Sequence, residues 1–140
     1  MQGADNIKYM DTTFSGDKNP AGAIFMDYRS AEGFDSPLVI LYGHNMQDGS
    51  MFAELDPRLI RRNVLISTSD GELFTYFIIS VKHTDIFDSV FALIGADEQA
   101  VIDYLRLHNA PDGSNRLLVL ATCTSGGNDD QRLLVIAVRV

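Results

Sequence analysis

Residues 116–140 read RLLVLATCTSGGNDDQRLLVIAVRV, two apolar runs of strand length on either side of a polar, glycine-bearing loop. Paired antiparallel across residues 124–131, they form a hairpin in which Cys123 closes one strand and Arg132 opens the next, so the residues flanking the loop face each other. The stretch Ser125-Gly126-Gly127-Asn128 marks that loop as flexible. Working outward, further β-rich runs occupy 23–28, 38–43, 63–68, 72–81 and 89–94, which with 116–122 and 132–138 make seven candidate strands. Turn chemistry separates them at the spacing of a closed or nearly closed β-barrel. Asp70-Gly71 is the strongest hairpin signal, because both central turn positions tolerate positive φ.

Two segments read as short helices. Asp97 is an N-cap for EQAVIDYLRLH, where Val101, Ile102 and Leu105 supply an apolar stripe. The other begins near Ser50, runs through MFAEL and restarts at Asp56-Pro57, a capping residue followed by proline at the first helical position. The expected fold is therefore all-β with two or more short helices, in one domain spanning residues 1–140.

With 140 residues, 46% of them hydrophobic, the chain has the size and composition for one buried core. A net charge of -8 without a Lys/Arg cluster excludes a nucleic-acid surface, which needs concentrated positive charge. Arg58, Arg61 and Arg62, the densest basic stretch, read as a solvated helix face. No run reaches the roughly 18–20 apolar residues that cross a bilayer, and no signal-peptide pattern opens the chain, which reads as soluble. The start at MQGADN, without a leader or helix, reads as that of a fragment whose export or anchoring segment lies elsewhere.

The single cysteine leaves a free thiol to explain. A lone thiol is more often buried and inert, but Cys123 ends an apolar strand opposite a permanently cationic, forked side chain. Arg132 can stabilise a thiolate, hold a peptide carbonyl or offset an oxyanion. His44 follows the strand LVILYG, and Gly43 lets the backbone bend at the strand end. An imidazole beside a thiol takes its proton or protonates a leaving amine. His83 and His108 lie in no comparable setting. Asn128, Asp129 and Asp130 are too few oxygen donors for a calcium site, one cysteine with scattered histidines does not match zinc spacing, and Gly126-Gly127 lacks the Lys-Ser/Thr of a phosphate loop. No metal or cofactor is expected.

YGHNMQDGSMF, then TCT, then RLLVIAVRV together resemble a class B sortase of Gram-positive bacteria, and QGADNIKYM, the Phe14–Gly16 F-x-G and AGAIFMDYRS agree with it upstream. The GHN form around His44 favours class B over other sortase classes. The resemblance implies a sortase-like barrel and a cysteine transpeptidase that cuts an LPxTG- or NPxTN-type sorting signal after threonine. It implies Cys123 as nucleophile, His44 as general acid and then base, and Arg132 as the group that positions substrate and stabilises the oxyanion. Asn6, Met10 and Thr122 fall on the family's substrate contacts. Their bland readings are a turn asparagine, a core methionine and a β-strand threonine. The implied partners are surface proteins bearing a sorting signal and a peptidoglycan precursor amine, at the extracellular face of a membrane to which an N-terminal segment holds the full-length protein.

Two departures from the family pattern carry expectations of their own. Residues 94–116 offer one short helix and a turn at 110–115 where class B members carry a long insertion, so a shorter groove wall is expected. The family's N-terminal helices and most of its first strand have no counterpart, so a truncated first strand and an open edge are expected. Two alternatives stay open. One is a cysteine peptidase of papain-like logic, disfavoured because such nucleophiles start a helix. The other is a catalytically inactive β-barrel module that presents the 124–131 loop to a partner.

Overall fold

The computed structural model describes residues 2–123 and 130–140, with Cys123 placed by its backbone. Six strands form one sheet: β1 (Phe25–Met26), β2 (Leu38–Tyr42), β3 (Asn63–Ser67), β4 (Leu73–Asp85), β5 (Leu117–Cys123) and β6 (Gln131–Arg139). Their spatial order is β1-β2-β5-β6-β4-β3. β2 and β5 run parallel, and all other neighbours are antiparallel.

The central strands carry continuous apolar runs because both faces of the sheet are covered. On one face Leu38, Ile40, Leu117, Val119, Leu134, Ile136 and Val138 pack against Val101, Tyr104 and Leu105 of α1 (Glu98–Leu107). On the other, Val39, Leu118, Leu120, Val135 and Ala137 join Met26, Phe52, Phe74, Tyr76 and Ile78. Met26 and Phe74 belong to strands at nearly opposite ends of the sheet order, so the sheet curls around this second cluster into a half-barrel. Asp97 caps α1, its carboxylate accepting from the Ala100 N–H at 2.9 Å.

The structure corrects the reading at several places. Residues 89–94 are not a strand: Ser89–Leu93 is a 3-10 helix whose cap, Asp88, accepts from the Val90 N–H. Val90, Phe91, Leu93 and Ile94 all pack on the first core cluster, which is helical spacing rather than alternation. The whole link from β4 to β5 is thus helical or irregular. Residues 50–55 form turns instead of a helix, since Met51 sits at φ +58° and the Phe52 N–H bonds back to the His44 carbonyl at 2.9 Å. Helical structure resumes only as a 3-10 turn, Pro57–Leu59, capped by Asp56. Arg58, Arg61 and Arg62 are exposed as expected, but on this turn and the residues after it.

Strand lengths also differ. β4 runs on to Asp85 because its polar end pairs with the start of β6 (Thr84 with Arg132, Asp85 with Gln131). β1 stops at Met26, where the Asp27 carboxylate accepts from the Arg29 N–H and turns the chain. The Asp70-Gly71 turn does join β3 to β4, with Gly71 at φ +93°. Residues 125–128 of the predicted flexible loop lie outside the described residues. Among the described residues, no helix is long and apolar enough to cross a membrane.

Candidate active site

Strand register brings three distant segments to one end of the sheet. Tyr42 is level with Ala121 in the parallel β2–β5 pair, and the Gly43 N–H continues the ladder to the Ala121 carbonyl at 3.2 Å. His44 therefore leaves the sheet beside the end of β5. Across the other side of β5, the Cα of Cys123 pairs with that of Arg132, which pairs in turn with Thr84 of β4.

Local structure fixes His44 from two directions. After it, the chain makes a lasso: Asn45 bridges to Met51, and Phe52 returns its N–H to the His44 carbonyl. Gly43 makes room for the lasso, since a Cβ there would lie 2.8 Å from Phe52 Cδ2. On the other side, His44 Nε2 lies 2.7 Å from the Met10 carbonyl oxygen. A carbonyl only accepts, so Nε2 carries a proton and donates it to Met10, which leaves Nδ1 outside this contact. The segment carrying Met10 comes this close because residue 22 is glycine: a Cβ on Gly22 would stand 2.3 Å from the Tyr9 carbonyl oxygen and 2.6 Å from that of Met10.

Asn6, Met10, Phe25, Tyr42, Gly43, His44, Ala121, Thr122 and Arg132 line a cleft of about 240 Å³. Its walls are mostly apolar, with Thr122 only 2% exposed and Phe25 5%. One guanidinium nitrogen of Arg132 donates to its neighbour's carbonyl, Gln131 O, at 2.8 Å, while the side chain still reaches the cleft wall.

Behind this wall sits a charged cluster. Asp27 is 1% exposed and is held by the fork of Arg29, with Nε to Oδ1 at 2.9 Å and a terminal nitrogen to Oδ2 at 2.7 Å. The Tyr42 hydroxyl and the Asn6 amide also donate to Oδ2, at 3.0 and 2.9 Å. Burial alone would raise the Asp27 carboxyl, but the hydrogen bonds from Arg29, Asn6 and Tyr42 outweigh it and hold it below the usual carboxylate range. Burial first, and then the Asp27 charge, push the Tyr42 phenol well above its ordinary value, so it stays protonated.

The sequence-chosen residues His44, Arg132, Asn6, Met10 and Thr122 thus surround one cleft, and Cys123 is tied to it through its backbone pairing with Arg132. His83, on β4, is exposed, and His108 stacks on the Tyr104 ring at 4.0 Å beyond the end of α1. Sequence reasoning missed Tyr42, two residues before the histidine and on the same strand parity, and it missed Asp27. Alternation along LVILYGH was the available signal for Tyr42. Among the described residues, no group of three or more His, Cys, Asp or Glu side chains is placed to hold a metal, and Asn128 and Asp129 lie outside them.

The chain matches the family model described as Sortase domain over residues 6–140. It is 47% identical to Sortase B of Listeria monocytogenes, an alignment that takes in 97% of this chain and 61% of that protein, so the chain spans less than two thirds of the relative's length. Among solved structures, Clostridium perfringens Sortase B matches with a TM-score of 0.78 at 25% identity, covering 100% of this chain and 85% of that one. The Staphylococcus aureus sortase B–substrate complex matches with a TM-score of 0.79 at 23% identity, over 100% and 72% of the two chains, a likeness of fold.

Proposed function

The chain belongs to the sortase family, and on that premise we propose that it is a cysteine transpeptidase of the class B type acting on sorting signals at the bacterial cell surface. The thiolate of Cys123 attacks the threonine carbonyl carbon of an LPxTG- or NPxTN-type signal, and a tetrahedral oxyanion forms. Arg132 offsets that charge and holds the peptide, a task for which a planar cationic fork suits better than a point charge. Collapse breaks the C–N bond, and His44 delivers a proton to the departing amine. A peptidoglycan amine then enters, His44 takes its proton, and attack on the thioester releases Cys123 with a new amide bond formed. Asn6, Met10 and Thr122 contact the bound signal along the cleft.

One observation supports this function above the others: parallel register between β2 and β5 and antiparallel register between β5 and β6 put residues 44, 123 and 132 at the same sheet end. The orientation of His44 fits its two tasks, because the Met10 carbonyl occupies Nε2 and leaves Nδ1 to exchange protons. A catalytically inactive binding module has no need of that orientation.

The test is turnover of a fluorogenic sorting-signal peptide, with and without an added amine, by the wild-type protein and two variants. Cys123→Ala abolishes both hydrolysis and transfer while keeping the circular dichroism of the fold. Arg132→Lys loses most of the activity although the charge is kept. Undiminished turnover in Cys123→Ala removes the mechanism, and wild-type-like kinetics in Arg132→Lys reduce the arginine to a simple charge.

A further inference from the structure

Asp27 is a buried carboxylate that the transpeptidase chemistry does not use, and it bonds two residues of the cleft wall. Five donors among the described residues converge on it: the Arg29 N–H, both sides of the Arg29 fork, the Asn6 amide and the Tyr42 hydroxyl. Turning the chain after β1 requires only the first of these. A carboxylate accepts at about four lone-pair sites, so Asp27 is saturated and has nothing left for water or substrate.

That saturation sets the polarity of the cleft. Asn6 faces Asp27 with its nitrogen, because a carboxylate only accepts, and its oxygen takes the Tyr28 N–H at 3.0 Å. A flipped amide would set oxygen against oxygen and N–H against N–H. Asn6 is therefore left with one N–H to offer elsewhere. The Tyr42 hydroxyl spends its only proton on Asp27, and so presents lone pairs alone. The wall thus has a fixed donor at residue 6 and a fixed acceptor at residue 42, the pairing that an extended peptide backbone satisfies with one C=O and one N–H.

We propose that Asp27 is a positioning residue for peptide binding, setting from behind the cleft which end of the Asn6 amide and which side of the Tyr42 hydroxyl meet the signal peptide. This rests on the transpeptidase function proposed above. Asp27 touches no reacting atom. Its removal changes how well peptide binds, not how fast bound peptide reacts.

The experiment compares wild type, Asp27→Asn, Asn6→Ala and the double variant on a sorting-signal peptide, and follows Cys123 alkylation by iodoacetamide as a readout that needs no peptide. Asp27→Asn raises KM about tenfold, the effect of one well-made hydrogen bond, with kcat and the alkylation rate within about twofold of wild type. In the Asn6→Ala background the same change raises KM by only about threefold, because the amide is gone and the Tyr42 hydroxyl alone is left for Asp27 to orient. An unchanged KM, a full tenfold increment in that background, or a parallel fall of kcat and alkylation each overturns the proposal. Where Asp27→Asn does not fold, Arg29→Lys loosens the carboxylate from its more exposed partner. It raises KM about threefold with kcat kept, and a wild-type KM in that variant also overturns the proposal. Wild-type protein without turnover brings down the transpeptidase function, and this proposal with it, whereas wild-type turnover with insensitive variants refutes this proposal alone.

Discussion

Gly43→Ala adds a single methyl group and tests how the histidine is held. The new Cβ would lie 2.8, 3.0 and 3.1 Å from Cδ2, Cγ and Cε2 of Phe52. Carbon atoms pack at about 3.5–4.0 Å, so the ring has to retreat by roughly 0.7 Å or more. Phe52 is 8% exposed and packed among Met26, Val39 and Leu118, and a core ring cannot swing aside as a surface side chain does. Overpacking of this kind costs about 1–3 kcal/mol, or roughly 3–10 °C in Tm for a chain of this size. Because Phe52 donates its N–H to the His44 carbonyl at 2.9 Å, its displacement is passed to the imidazole. Misplacement on the order of 1 Å lowers kcat/KM by about 10- to 100-fold. Thermal unfolding and peptide turnover measure the two effects together. Phe52→Leu on top of Gly43→Ala should recover at least about 1 kcal/mol relative to the sum of the single changes, because the clashing edge of the ring is removed. If Gly43→Ala matches wild type in Tm and turnover, or if the two changes are simply additive, the close packing of the lasso on Gly43 is refuted.

Acid stability and core packing furnish two further tests. Burial would raise the Asp88 carboxyl, but hydrogen bonds from Lys82, the Val90 N–H and Thr84 outweigh it, so like Asp27 it sits below the usual carboxylate range. A depressed folded pKa gives stability that is complete above the unfolded value of about 3.9 and is lost as pH falls through the lower folded value. Urea denaturation from pH 6 to pH 2 should therefore show stability falling below about pH 4, with a shallower fall in Asp88→Asn. An identical slope in that variant contradicts the assignment. Leu118→Ala, at a side chain with 0% exposure on the inner face of the curl, should cost about 2–5 kcal/mol, and a loss under 1 kcal/mol would mean that the inner face is not closely packed.

The legible parts of the fold were those whose environment leaves a mark on composition. β2, β5 and β6 are covered on both faces, and LVILY, LLVLA and LLVIAV show it as unbroken apolar runs. The end of β4 was hidden because Lys82 to Asp85 are polar, and only their pairing with β6 makes them strand. Residues 89–94 misled because Val90, Phe91 and Ile94 have high β propensity, while Asp88 as a cap and the spacing of these residues with Leu93 are helical signals. At the site, strand ends and residue chemistry drew attention to His44, Cys123 and Arg132, the family resemblance gave them their expected roles, and strand register brings the three positions to one end of the sheet. The Met10 carbonyl and the Asp27 cluster were not legible: a backbone acceptor has no residue signature, and Asp27 meets Asn6 from 21 positions away.

Intact mass spectrometry of the protein incubated with a sorting-signal peptide, without an amine acceptor, tests the assignment of the nucleophile most directly. The expected result is one adduct equal in mass to the peptide's acyl portion through threonine, mapped to Cys123, discharged by an added amine and absent from Cys123→Ala. Peptide cleavage with no adduct at Cys123, or an adduct that survives in Cys123→Ala, would contradict the assignment.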